Sequence, residues 1–144
     1  MTLAEKTMGR IIAIDYGRKR TGLAVTDSLK LIAGGLTTVP THELMNFLEA
    51  YVKKEVVERF VVGLPKQMNN QPSESMKYIE PFVRLLQKRL PDIPMEYADE
   101  RFTSVLAHQA MLQGGLKKKD RRNKALVDEI SAVIILQTYL ESIR

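Results

Sequence analysis

The stretch "RIIAIDYGRKRTGLAVTD", Arg10 to Asp27, decides how this chain is read. Arg10–Asp15 and Thr21–Thr26 are short β-rich runs, and the basic segment between them contains a glycine, so the pair reads as a hairpin. Asp and Gly are poor strand formers and common turn residues, which accounts for the backbone. It does not account for a carboxylate, Asp15, that closes an apolar strand and runs into Gly17, Arg18, Lys19 and Arg20. A metal site beside a phosphate-binding surface accounts for both charges at once.

Working outward, "LIAGGLTTV" follows as a third strand, so the chain opens as an antiparallel meander. The pattern changes near Pro40. Leu44, Phe47, Leu48, Tyr51, Val52 and Val56 fall at helical spacing within His42 to Val57, and "RFVVGLP" then reads as a buried strand. Ser73 to Leu90 repeats the helical spacing, with Pro81 inside it predicting a kink or a break. "IPMEYADE" is the last strand. Thr103 to Met111 reads as a helix capped by Thr103 or Ser104 and closed by Gly114 and Gly115. The basic "LKKKDRRNK" reads as a loop, and Ala125 to Ile143 as a long helix with a wide apolar face. The order βββαβαβαα fits an α/β domain with a mixed sheet covered by helices.

The chain has 144 residues, 44% of them hydrophobic, enough for one sizeable core, so a single domain over 1–144 is expected. A net charge of +5 biases it toward polyanions and tilts the expected partner toward nucleic acid. With no Cys and only His42 and His108, disulfides and thiolate sites are excluded and a His-based zinc site is disfavoured, so a metal would sit on oxygen. "AVIIL", Ala132 to Leu136, is far too short to span a bilayer, and a cytoplasmic protein without a membrane partner is expected. Aromatics are only 6%, so recognition is expected to go by shape and backbone more than by stacking.

Acidic residues recur where strands end. Asp15 closes the first strand and Asp99 with Glu100 the last, while Asp128 shares a helix face with Ala132, Ile135 and Tyr139. If the first and last strands are neighbours, these groups meet at the carboxyl edge of the sheet, where α/β folds gather their ligands. Small Ser131 and Ala132 allow the helix a close approach. Two carboxylates about 5 Å apart repel by on the order of 3 kcal/mol at an effective dielectric near 20. A divalent cation reverses that sign, and an all-oxygen site suits Mg²⁺ or Mn²⁺, the ions that serve phosphodiester hydrolysis. Singly, Asp15 and Asp27 read as turn residues and Asp128 as a partner for Lys124; the combination carries the metal reading.

Taken together, "IDYGRKRTGLAVTD", "VVGLPKQM", "DERFTS" and "KALVDEISAVIILQTYL" resemble the YqgF/RuvX family, in order and over nearly the whole chain. The resemblance implies an RNase H-like fold: a five-stranded mixed sheet, three antiparallel strands first, with helices on both faces. It implies a nuclease that matures the 5′ end of pre-16S ribosomal RNA in the bacterial cytoplasm, with ribosomal particles as a further partner. An older assignment for the family is Holliday-junction resolvase. The family's first-strand Asp falls on Asp15, its DER motif on Asp99 to Arg101 and its helix Asp on Asp128. Within DER the reach of Glu100 favours it, while strand alternation could equally select Asp99. Where many members read Asn-Met-Asp-Gly after the GLP turn, this chain has Gln67, Met68, Asn69 and Asn70.

The expectation is therefore an endonuclease using Mg²⁺ or Mn²⁺. Asp15, Glu100 and Asp128 are its catalytic acids, and Asp15, Asp99, Glu100 and Asp128 its metal ligands. Arg18, Lys19, Arg20, Arg101, Lys117, Lys118, Lys119, Arg121 and Arg122 grip phosphates. Junction resolution requires two active sites on one substrate and hence a dimer, whereas an RNA nuclease works as a monomer or weak homodimer. A non-catalytic RNA-binding assembly factor is the second class. "IDYGRKRTG" also looks like the first phosphate loop of actin-like ATPases, which need two such domains around a cleft.

Overall fold

The computed structural model describes residues 9–30, 32–64, 76–99 and 124–143. In chain order these form β1 (Arg10–Asp15), β2 (Arg20–Thr26), β3 (Ala33–Pro40), a single 3-10 turn (Thr41–Glu43), α1 (Leu44–Lys54), β4 (Val57–Leu64), α2 (Met76–Arg89), β5 (Met95–Asp99) and α3 (Lys124–Ile143). The expected helix at Thr103 to Met111, the loop at Lys117 to Lys124 up to its last residue, and Gln67 to Asn70 lie outside the described residues.

The five strands make one sheet in the order β3-β2-β1-β4-β5. The β1–β2 and β2–β3 pairs are antiparallel, and the β1–β4 and β4–β5 pairs parallel. This is the mixed sheet that the element order predicts. Asp27 closes the β2–β3 turn, as its reading as a turn residue anticipates: its carboxylate accepts from the Ile32 amide at 2.9 Å and its carbonyl from the Lys30 amide at 3.0 Å.

Alternation along the strands divides the core in two. Ile12, Ile14, Leu23, Phe60 and Val62 pack against Leu44 and Leu48 of α1 and Ile79, Phe82, Val83 and Leu86 of α2. Ile11, Ala13, Ala24 and Val61 face the other way, onto Ala132, Ile135, Leu136, Tyr139 and Leu140 of α3. Over Ile11–Ile14 of β1 and Phe60–Val62 of β4 both faces are buried, which is why those stretches are unbroken apolar runs. At its far end α3 is tied to the sheet by Tyr139, whose hydroxyl donates to Glu96 at 2.5 Å and accepts from Arg59 at 2.6 Å.

Three details correct the sequence reading. Helix α1 ends at Lys54, and Val57, expected as its last residue, opens β4. Val56 is 62% exposed, so the apolar spacing ran past the true end. Helix α2 runs through Pro81 without a break. Pro81 lies on the exposed side, and burial of Ile79, Phe82, Val83 and Leu86 holds the segment in one piece despite a missing backbone donor. Finally, β1 and β5 are not neighbours, because β4 lies between them.

Gly22 has a role that spacing alone did not suggest. It is a strand residue paired with Asp15, and a Cβ on it would collide with the backbone carbonyl of Asp128. Its missing side chain is what lets α3 lie against the sheet. Gly22→Ala must displace backbone and should cost about 1–3 kcal/mol. A urea melt should register this as a lowered midpoint, while Gly34→Ala, whose added methyl meets nothing within 4 Å, should leave the midpoint unchanged.

Candidate active site at the carboxyl edge of the sheet

Asp15 ends β1 with the strand parity of Ile11 and Ala13, which is the α3 side. The close approach at Gly22 brings the first turns of α3 over that point, so Asp128 and Asp15 meet across it. Burial, and after it the charge of Asp128, push the Asp15 carboxyl up from 3.8 to about 7. That shift reports two acids sharing a half-buried position that poorly solvates a charge.

Arg20 answers part of this charge. Its Nε lies 3.2 Å from Asp128 Oδ2, with both side chains partly exposed. An exposed pair of this kind contributes about 0–1 kcal/mol, so it orients Asp128 without fully neutralising the acids. Arg20, read from sequence as a phosphate contact, is here a carboxylate partner. Arg18 and Lys19 extend from the same turn and are exposed. Together Gly17, Arg18, Lys19, Arg20 and Asp128 line an open cavity of about 550 Å³.

The turn is held from Thr41, the first residue of the 3-10 turn after β3. Thr41 Oγ1 donates to the Gly17 carbonyl at 2.5 Å, and its amide donates to the Lys19 carbonyl at 2.9 Å. The Thr21 hydroxyl, fully buried, lies 3.0 Å from the Thr41 hydroxyl. A Cβ on Gly17 would strike the Arg20 carbonyl, so that glycine is required for space. Sequence reading missed Thr41 and Thr21 as positioning residues. Thr41 stands 24 positions from Gly17, and no local pattern signals a contact at that distance.

Other predicted residues stand differently. Asp99 ends β5 in register with Leu64. With β4 intervening, it is two strand spacings, about 10 Å, from β1. Glu100, Arg101, Lys117, Lys118, Lys119, Arg121 and Arg122 lie outside the described residues. Among the described residues no cluster of three or more His, Cys, Asp or Glu forms a metal cage. What they do supply is two juxtaposed carboxylates, the oxygen-donor chemistry that suits a divalent cation. Among the described residues no helix is long and apolar enough to cross a membrane.

Comparisons with known proteins show the family and the fold. The family described as RuvX, Holliday junction resolvase, matches residues 9–142. A protein of Bacteroides thetaiotaomicron named "Putative pre-16S rRNA nuclease" is 75% identical over 137 residues, 95% of this chain and 99% of that one. One of the same name from Porphyromonas gingivalis is 64% identical over 135 residues, covering 94% and 98% of the two chains. The solved T. thermophilus RuvC in complex with a Holliday junction substrate superimposes with a TM-score of 0.54 at 17% identity, covering 93% of this chain and 96% of that one. At that identity the likeness concerns the fold alone, and the fold is RNase H-like.

Two outcomes follow from the geometry. Because the folded carboxyl of Asp15 titrates near 7 and the unfolded one near 3.8, the folded state binds the extra proton between those values. Stability therefore falls as pH rises through that window, and the cost is complete above it. In chelator, Asp15→Asn should be about 1–3 kcal/mol more stable than the parent near pH 8, with the gain gone below about pH 4, as thermal melts at the two pH values would record. Thr41→Val removes the hydroxyl partner of both Gly17 and Thr21 and should cost about 1–2 kcal/mol in chemical denaturation, where Thr41→Ser should recover most of it.

Proposed function

The chain belongs to the RuvX family, and on that premise we propose that it is a metal-dependent endonuclease that cuts a phosphodiester bond in processing the 5′ end of pre-16S rRNA. The observation that carries this reading is the juxtaposition of Asp15 and Asp128 beside a basic turn. Two acids held together where burial disfavours charge are a pair that a divalent cation stabilises. The name shared by the Bacteroides and Porphyromonas relatives supports pre-16S rRNA as substrate.

Asp15, Asp128 and Glu100 would hold Mg²⁺ or Mn²⁺, which suit all-oxygen donor sets. Bound there, the cation lowers the pKa of water and offsets charge on the phosphate. Glu100 is preferred to Asp99 as the third acid by parity. Glu96 and Ala98 of β5 face α3, and the next residue of that parity is Glu100. Asp15 and Asp128 orient the attacking water, with Asp99 at most an outer ligand. Arg18, Lys19 and Arg20 would hold the phosphates on either side of the cut, Arg20 from its place beside Asp128. Arg101 and the basic residues Lys117, Lys118, Lys119, Arg121 and Arg122 extend the grip along the strand. The protein works in the cytoplasm on precursor rRNA or ribosomal particles, as a single domain and as a monomer or weak homodimer.

Cleavage of a pre-16S leader, a four-way DNA junction and single strands, each with Mg²⁺ or Mn²⁺, tests the proposal. The leader should be cut. Asp15→Asn and Glu100→Gln should each lose about 10²–10³-fold in rate, with Asp99→Asn near the parent. Preferential cutting of the junction by a dimer would move the substrate to DNA, and undiminished cleavage by Asp15→Asn would end the nuclease reading.

A further inference from the structure

The other side of the Gly17–Arg20 turn holds a second groove, of about 510 Å³, that the nuclease chemistry does not use. Tyr16, the residue after Asp15, stacks on Phe82 with ring centroids 5.0 Å apart. Both line this groove, as do Tyr78, Leu85, His42 and Arg89. Three of the chain's nine Tyr and Phe residues thus meet beside the candidate site, although aromatics are scarce overall. Arg18 joins the two cavities: it lines the first, and its guanidinium lies 4.4 Å from the centre of the Tyr78 ring in the second.

We propose that this groove receives one unstacked base of the bound strand, adjacent to the scissile phosphate, with the half-exposed Tyr78 ring as its stacking platform. The proposal rests on the nuclease reading above. The walls are of the kind that favours a base over other occupants. Aromatic rings and Leu85 offer apolar faces, and His42 and Asn46 offer hydrogen-bonding groups at the rim. Among the described lining residues there is no carboxylate to repel a phosphate chain. Arg89 is already engaged by Glu49 at 3.2 Å, and the cations beside the platform are Arg18 and Lys77, the latter with its ammonium 5.5 Å from the centre of the Tyr78 ring. Continuity makes the base part of the same strand. Asp15 faces α3 and Tyr16 packs on the α1–α2 side, so a chain crossing the sheet edge at the turn passes from the acids to the groove within one residue. Such a pocket selects unpaired over paired strands at that nucleotide, because a base held in a duplex cannot enter it.

The test uses short single-stranded RNA in the Asp15→Asn background, which binds without cutting, with 2-aminopurine walked along the strand and then replaced by an abasic residue. At one position binding should change the 2-aminopurine emission, and Tyr78→Ala should abolish that change while Tyr78→Phe keeps it. Removing the base there should weaken binding about 5- to 150-fold, Tyr78→Ala should match that loss, and the two should not add. Leu85→Gln, a neutral change at a 41% exposed position in the same groove, is a second and independent variant that should weaken binding of the intact strand but not of the abasic one. Losses that add at every position, or a Tyr78→Ala protein that binds like its parent while the wild-type chain still cuts, would overturn the base site and leave the nuclease reading standing. A wild-type chain that neither binds nor cuts any strand would overturn both.

Discussion

Helix α3 touches the sheet at a glycine, and that contact sets the position of everything at the site. With no side chain on Gly22, the carbonyl of Asp128 lies against β2 at the level where β2 pairs with Asp15. A larger residue would lift the start of α3 off the sheet. From this one approach follow the meeting of the two acids, the reach of Arg20 to Asp128 and the cavity between the basic turn and the helix. The rest of α3 is then fixed by ordinary burial, with Ala132, Ile135, Leu136 and Leu140 packed on the sheet and Tyr139 locked between Arg59 and Glu96.

Such a site opposes folding. A carboxyl held up to about 7 is one whose charge the folded chain resists, and a partly exposed Arg20 offsets only part of that. The two cores carry the cost. Phe60, Ile12, Ile14, Leu23, Leu48 and Leu86 are almost wholly removed from water, each contributing about 1.5–3 kcal/mol. Stability spent to keep reactive groups close and pre-oriented is a common pattern at functional sites. Here the opposing parts are adjacent along the chain: Ile12 and Ile14 anchor β1, and Asp15 ends it.

Local patterns reported the elements faithfully where burial was one-sided or complete. The apolar runs Ile11–Ile14 of β1 and Phe60–Val62 of β4 arise because both faces of the sheet are covered there, and the helical spacing of α2 and α3 marks the faces they bury. Patterns misled where an apolar residue was not buried or a breaker was outweighed. Val56 extended the apparent helix although it is exposed, and Pro81 suggested a break that the packing of its neighbours prevents. The hairpin reading of Gly17 held, for a reason of space. Gly22 belongs to a strand and serves a helix more than a hundred residues away.

The sequence by itself determined the strands, the three described helices, the basic turn and the place of Asp15 at a strand end, because each is written in residue type and spacing over a few neighbours. Only the tertiary structure decided which strand lies beside which, so that β4 separates β1 from β5. It alone gave Arg20 to Asp128, Thr41 to the turn, and Arg18 to Tyr78. Thr41 and Gly17 are 24 positions apart and Arg20 and Asp128 are 108 apart, and nothing in a local pattern encodes such pairings. Asp15 began as a strand-end carboxylate that could have been a turn residue, and what distinguishes it is a neighbour, Asp128, brought to it by the fold.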